Sequence, residues 1–261
     1  MPSNITNRQT DLTGAALSSE AGRGMPQPGR ERPRALVLFD IDGTLIRRAG
    51  PHHRQALVEA VRRTTGLETT TENVPVQGML DRDILTVMLS RAGASQASIR
   101  RNMPELIHCA QQIYETECPN LRQRVCPGAR MLLWRLYRRE VPVGLVTGNL
   151  TRIGWKKMDR AGLRRYFRFG LFAEQGKDRA GLVRLAIRQA RRENWIAPDS
   201  VISLIGDHPN DVRAAQINGI RAIAVATGIA SAEELAASRP DVLVTDLRAL
   251  SIDFLLDGGP Y

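Results

Sequence analysis

Short apolar runs recur along the chain. ALVLF (35–39), VPVGLVT (141–147), RFGLF (168–172), VISLI (201–205), AIAVA (222–226) and VLVT (242–245) carry apolar side chains at consecutive positions. That is the pattern of strands buried on both faces of a parallel sheet. Helical stretches separate most of them. CPGARMLLWRLYRRE opens with a proline and closes on basic residues, and TRIGWKKMDRAG follows Asn149 as N-cap and stops at Gly162. PNDVRAAQIN stops at Gly219, and Ser231 with Glu234 makes a capping box before a further short helix. The alternation predicts an α/β fold, a Rossmann-like parallel sheet flanked by helices and joined by right-handed crossovers.

One interval breaks the alternation. HRQALVEAVRRTTG, DRDILTVMLSRAG and MPELIHCAQQIYETEC carry apolar residues at three- and four-residue spacing, as in Leu106, Ile107, Ala110, Ile113 and Tyr114. Residues 51–123 are therefore expected to form an inserted helical subdomain, with the core made of 35–50 plus 124–256. Residues 1–34 show no sustained period and are dense in Ser, Thr, Asn, Gly, Pro and Arg, which predicts a disordered tail.

Composition narrows the class. Apolar residues make up 43% and charged residues 25% of 261, which excludes fibrous and fully disordered chains. No run approaches the ~18 uninterrupted apolar residues of a membrane span, and no secretory signal is evident. Three cysteines (Cys109, Cys118, Cys126) form an odd count without metal-like spacing, as expected of a reducing cytoplasm. The formal charge is +10, and only three of the 37 basic residues are lysines (Lys156, Lys157, Lys177). Such a chain attracts anions. The arginines are scattered in pairs and aromatics are only 5%, so a base-stacking nucleic-acid platform is not expected.

The chemistry-bearing motif is FDIDGTL, Phe39 to Leu45. Asp40 and Asp42 leave the first strand at its carboxyl end, where open α/β sheets bind ligands, and Gly43 lets the chain turn. An ordinary polar turn would explain a bare Asp-x-Asp. With an apolar strand before it and Gly-Thr-Leu after it, the stretch resembles the first motif of the haloacid dehalogenase-like hydrolase superfamily. Val146-Thr147-Gly148 resembles the second motif, and Gly206-Asp207-His208-Pro209-Asn210-Asp211 the fourth. The third, a cation at a helix start, is Lys177 or Arg179 in EQGKDRAGLVRLAIRQA, with a slight preference for Lys177. On these motifs the chain is similar to the phosphoglycolate phosphatase-like enzymes of that superfamily.

The resemblance implies a Mg²⁺-dependent phosphatase acting on a small phosphorylated metabolite. Asp40 would be the nucleophile and Asp42 the general acid and base. Thr147 would hold the phosphoryl group with Lys177 or Arg179, and Gly43, Thr44, Gly148 and Asn149 would lie against substrate. Asp40, Asp42 (through its carbonyl), Asp207 and Asp211 would bind Mg²⁺. Four carboxylates in one crevice argue for a cation, since each like-charge pair at ~4 Å costs ~4 kcal/mol at an effective dielectric of ~20. The ordinary alternative for Asp207 and Asp211 is helix capping.

In the helical insertion His52, His53 and Gln77–Asp81 lie where relatives contact substrate. The histidines are expected at the surface, and Asp81 as a cap of its own helix. A dehalogenase would lack the second aspartate, and a phosphonate-cleaving enzyme would need a lysine that residues 51–123 do not contain. A sugar phosphomutase and a non-catalytic polyanion-binding module remain as alternatives.

Overall fold

Five consecutive buried side chains, Ala35 to Phe39, can be satisfied only in the middle of a covered sheet. In the computed structural model, which describes residues 34–47 and 50–257, they form the central strand β1 (Ala35–Phe39). The expected tail lies outside the described residues except for Arg34. Among the described residues β1 joins β2 (Val143–Val146), β3 (Phe169–Leu171), β4 (Val201–Gly206), β5 (Arg221–Val225) and β6 (Val242–Val244) in the order β3-β2-β1-β4-β5-β6. Every pairing is parallel, with Phe39 opposite Leu145 on one side and Ile205 on the other. Strand order reverses at β1, so the crevice beyond its carboxyl end is the topological switch point.

Among the described residues three α-helices stand between β1 and β2 before the crossover helix: α1 (His52–Thr65), α2 (Asp81–Arg91) and α3 (Gln96–Glu117), followed by a short 3-10 turn (Arg122–Arg124) and α4 (Ala129–Arg138). In α1 the buried residues are Ala56, Leu57, Ala60 and Val61, a one-face pattern that packs on α3. α3 begins seven residues earlier than the Met103 expected from its periodicity, capped by Ser95, and runs through Pro104. Proline is tolerated because Pro104 and Arg100 both face water, which can take the carbonyl that loses its partner.

The remaining crossovers are α5 (Thr151–Ala161), α6 (Arg179–Arg192), α7 (Pro209–Ile217) and α8 (Ala232–Ala237), with α9 (Ile252–Asp257) after β6. α6 packs on β2, β3 and α7, and α9 on β1, β4 and α4. The capping box of Ser231 and Glu234 and the left-handed Gly162 after α5 are as expected.

Asn149 does not cap α5. Its amide is committed elsewhere, and three acceptors from other segments take the first amides of that helix. Leu150 N–H donates to Asp81 at 2.8 Å, Thr151 N–H to Glu174 at 2.9 Å and Arg152 N–H to Gln111 at 2.7 Å. Asp81 is thus a cap, but of α5 and not of its own helix.

Candidate active site

Asp40 directly follows β1, Thr147 follows β2 and Asp207 follows β4, so three neighbouring strand ends deliver them to one place. The chain then turns sharply at Gly43. Its φ is +84°, and a Cβ there would lie 2.0 Å from an oxygen of Asp207, so only glycine fits. Gly43 N–H bonds Ile46 at 2.7 Å, and Thr44 Oγ1 donates to Asp207 Oδ1 at 3.2 Å. The Thr44 hydroxyl is therefore spent on positioning Asp207.

The crevice encloses about 880 Å³. Its lining includes Asp40, Asp42, Gly43, Thr147, Gly148, Asn149, Arg179 and Asp207, together with His53, Gln77 and Asp81 from the helical insertion. At Gly148 the insertion comes closest: a Cβ there would sit 2.2 Å from the Met79 carbonyl, and Asp81 N–H bonds the Gly148 carbonyl at 2.8 Å.

On one side of the crevice three buried carboxylates converge. Asp40, Asp207 and Asp211 each place an oxygen within 4.8 Å of the others. Arg179, also buried, donates to Asp40 Oδ1 at 2.8 Å and to the Val146 carbonyl at 3.2 Å, and its Nε faces Asp211 Oδ1 at 3.3 Å. Asp211 does cap α7 as well, since His208 N–H donates to its Oδ2 at 3.2 Å. The capping and the ion-binding readings of Asp211 are compatible, one oxygen for each.

Burial, and then repulsion from Asp40 and Asp211, push the Asp207 carboxyl well above the usual carboxylate range. Burial likewise raises Asp211 to about 7, with Arg179 pulling the other way. These groups are short of positive charge. A divalent cation with hard-oxygen preference fits the donor set, and the buried Asp211 Oδ1 has no aligned hydrogen bond to lose.

On the other side lies Asp42, whose carboxylate is outside that cluster. Lys157 donates to its Oδ1 at 2.8 Å and Oδ2 at 2.6 Å, and Asn149 Nδ2 donates to Oδ2 at 2.8 Å. Desolvation would raise the Asp42 pKa, but the charge and hydrogen bonds of Lys157 more than offset this and hold it below the usual carboxylate range. Asn149 also bonds Thr147 Oγ1 at 2.7 Å, so its amide is directed at protein groups on both ends.

The two candidate third-motif cations part company here. Lys177 is exposed and outside the crevice, whereas Arg179 is buried inside it, so position runs against the preference for Lys177. The reason is helical phase. Arg179 shares the buried face of α6 with Leu182, Val183, Ala186 and Ala190, and Lys177 precedes the helix. Lys157 was missed altogether, although a signal existed. It sits between Ile153 and Ala161 on the buried stripe of α5, where a lysine needs a partner. Of the two histidines, His53 lines the crevice and His52 does not.

Fold and site together define an α/β protein whose chemistry gathers at the switch point of a parallel sheet, with carboxylates and buried cations where a nucleotide-binding fold has a glycine-rich loop. The chain belongs to the haloacid dehalogenase-like hydrolase family, whose model matches residues 37–225. It is 27% identical over 224 residues to a phosphoglycolate phosphatase of Pseudomonas fluorescens, covering 82% of this chain and 78% of that one. A phosphoglycolate phosphatase of Pseudomonas syringae pv. tomato is equally similar, at 27% over 226 residues with the same coverage of 82% and 78%. Among solved structures, a β-phosphoglucomutase from Clostridium difficile superposes with a TM-score of 0.62 at 17% identity, covering 85% of this chain and 95% of that one. A predicted phosphoglycolate phosphatase from Haemophilus somnus gives 0.60 at 19%, covering 84% and 96%. At such identities the structural likenesses carry the fold and not the reaction. Among the described residues no helix is long and apolar enough to cross a membrane.

Proposed function

We propose that the protein is a Mg²⁺-dependent phosphomonoesterase that works through a phosphoaspartyl intermediate on Asp40. The observation that carries this reading is the division of labour between two aspartates two residues apart. Arg179 engages Oδ1 of Asp40, and among the described residues Oδ2 is left for attack. Asp42 is instead wrapped by donors, as befits a group that exchanges protons.

In the first step Asp40 Oδ2 bonds to phosphorus, the bond to the leaving oxygen breaks, and Asp42 gives that oxygen a proton. An arriving phosphate dianion adds negative charge beside Asp42, which favours its protonated form. In the second step Asp42 takes a proton from water, the water oxygen bonds to phosphorus, and Asp40 is released. Thr147 and Arg179 would bind the phosphoryl oxygens. Asp40, Asp207, Asp211 and the Asp42 carbonyl would hold Mg²⁺, which neutralises the crowded carboxylates and the incoming phosphate. The three free cysteines suit a cytoplasmic enzyme.

The substrate fits a small, doubly anionic phosphomonoester of the phosphoglycolate type. Arg47 and Arg54 line the same crevice, and among the described residues neither guanidinium has an ion-pair partner. They offer a second anion site that a carboxylate would fill.

The test is a screen of phosphorylated metabolites for released phosphate, with and without EDTA, alongside Asp40→Asn. We expect turnover to vanish in EDTA, return with Mg²⁺, and fall by ~10⁴-fold or more in Asp40→Asn. Phosphate release that survives Asp40→Asn, or full turnover in excess EDTA, overturns the reading.

A further inference from the structure

Lys157 is among the largest fully buried side chains of the molecule. An ammonium in that position must satisfy three N–H donors. It does so completely: Asp42 accepts from it at 2.6 Å, Asn149 Oδ1 at 2.6 Å and His53 Nδ1 at 3.1 Å. No donor remains for a substrate. The polarity then propagates outward in one direction. With Nδ1 of His53 accepting, its proton sits on Nε2, which donates to Asp81 Oδ2 at 2.9 Å. That same oxygen accepts Leu150 N–H at 2.8 Å, the amide that opens α5, the helix on which Lys157 stands. The ring of Tyr114 in α3 closes the remaining side, 5.9 Å from Lys157 Nζ.

The chain Asp42–Lys157–His53–Asp81 thus begins at the strand end and finishes in the helical insertion. His53 stands at the second position of α1 and Asp81 at the first of α2, so both are held by the packing of the insertion. We propose that Lys157 is a positioning residue for Asp42, and that His53 and Asp81 of the insertion lock Lys157 in the rotamer that points Asp42 at the leaving-group oxygen. The insertion then does more than cover the crevice. It completes the proton-transfer geometry, and only when seated against the core.

This inference rests on the phosphatase reading, with Asp42 as the acid. If it holds, the network matters in proportion to how badly the leaving group needs a proton. The experiment compares 2-phosphoglycolate, whose alkoxide must be protonated, with p-nitrophenyl phosphate, whose phenolate leaves without one. His53→Ala, Asp81→Asn and Lys157→Met are measured on both, with Asp40→Asn as control and thermal unfolding as the check of fold.

The expected result is a kcat/KM loss of at least ~30-fold on the alkyl ester and at most a few-fold on the aryl ester, because kcat/KM reports formation of the phosphoaspartyl intermediate and not its hydrolysis, in which Asp42 serves as base for both. Equal kcat/KM losses on the two esters, or no change in kcat/KM on the alkyl ester, overturns the proposal. His53→Ala and Asp81→Asn carry the test alone if Lys157→Met does not fold. Failure of the wild-type protein to hydrolyse either ester, or hydrolysis that survives Asp40→Asn, sinks the phosphatase reading instead. The two failures therefore look different.

Discussion

The two sides of the crevice are built from the same residue types and treat them oppositely. On the Asp40 side three buried carboxylates share one arginine, and the Arg179 Nε and Asp211 Oδ1 face each other at 3.3 Å without an aligned hydrogen bond. On the Asp42 side every polar atom described has a partner, and the ammonium of Lys157 is fully used. A buried group left short of charge marks a place where something else binds. A network with nothing spare around a buried ammonium marks preorganised geometry. On the proposed reading the contrast separates the part of the site that would take a cation and phosphate from the part completed by protein groups.

Among the tests of this contrast, the largest effect should come from Arg179→Ala. Among the described residues it removes the one cation that holds Asp40 Oδ1, and it leaves three carboxyl groups together. We expect kcat with any phosphomonoester substrate to fall ~10²–10³-fold, measured at saturating Mg²⁺ so that loss of metal does not confound the reading. A loss under tenfold would mean that Mg²⁺ alone balances the cluster, and the two sides would be less different than they look.

A smaller effect separates the two sides by pH. Asp211 is raised from 3.8 to about 7 in the fold, and Asp207 moves in the same direction. For a raised carboxyl the folded state holds the proton more tightly than the unfolded chain. Its contribution is full below about pH 4 and is lost as pH rises through about 7. The metal-free protein should therefore lose melting temperature across that window through these two groups. Mg²⁺ replaces the lost protons, so it should raise Tm by several degrees at ~pH 8 and by little at ~pH 5, one kcal/mol being worth ~2–4 °C in a chain of this size. Equal Mg²⁺ shifts at both pH values would break the comparison.

How much of this was legible in the sequence follows from the range of each signal. Strand runs such as ALVLF and the caps at Gly162 and Ser231 are local, and the structure reproduces them. The acids of FDIDGT and GDHPND are local motifs too, and the parallel sheet brings their strands side by side. What sequence did not show was pairing between distant segments. Asp81 caps α5 through the amide of Leu150, 69 positions away from it, and Lys157 meets Asp42 across 115. Asn149 fits an N-cap until its amide is seen to be needed by Asp42 and Lys157. Periodicity did contain the burial of Arg179, since α6 counted from Arg179 gives the buried face that counting from Lys177 only approximates.

The smallest expected effect is the one that decides between the two candidate cations. Lys177 precedes α6 in an exposed segment, while its near neighbour Asp178 caps the helix by accepting Gly181 N–H at 2.7 Å. Among the described residues no ion pair to its ammonium is present, and it lines no part of the crevice. An exposed lysine in that setting contributes within about ±0.5 kcal/mol to stability. Lys177→Ala should therefore change kcat/KM less than about twofold and leave Tm nearly unmoved, against the hundredfold loss at Arg179. Two residues on, the same substitution meets a side chain at the first turn of the helix that reaches back under two strand ends. If Lys177→Ala instead cost as much as Arg179→Ala, the segment 174–178 would have to fold over the crevice when substrate binds, and the cation count on the Asp40 side would rise from one to two.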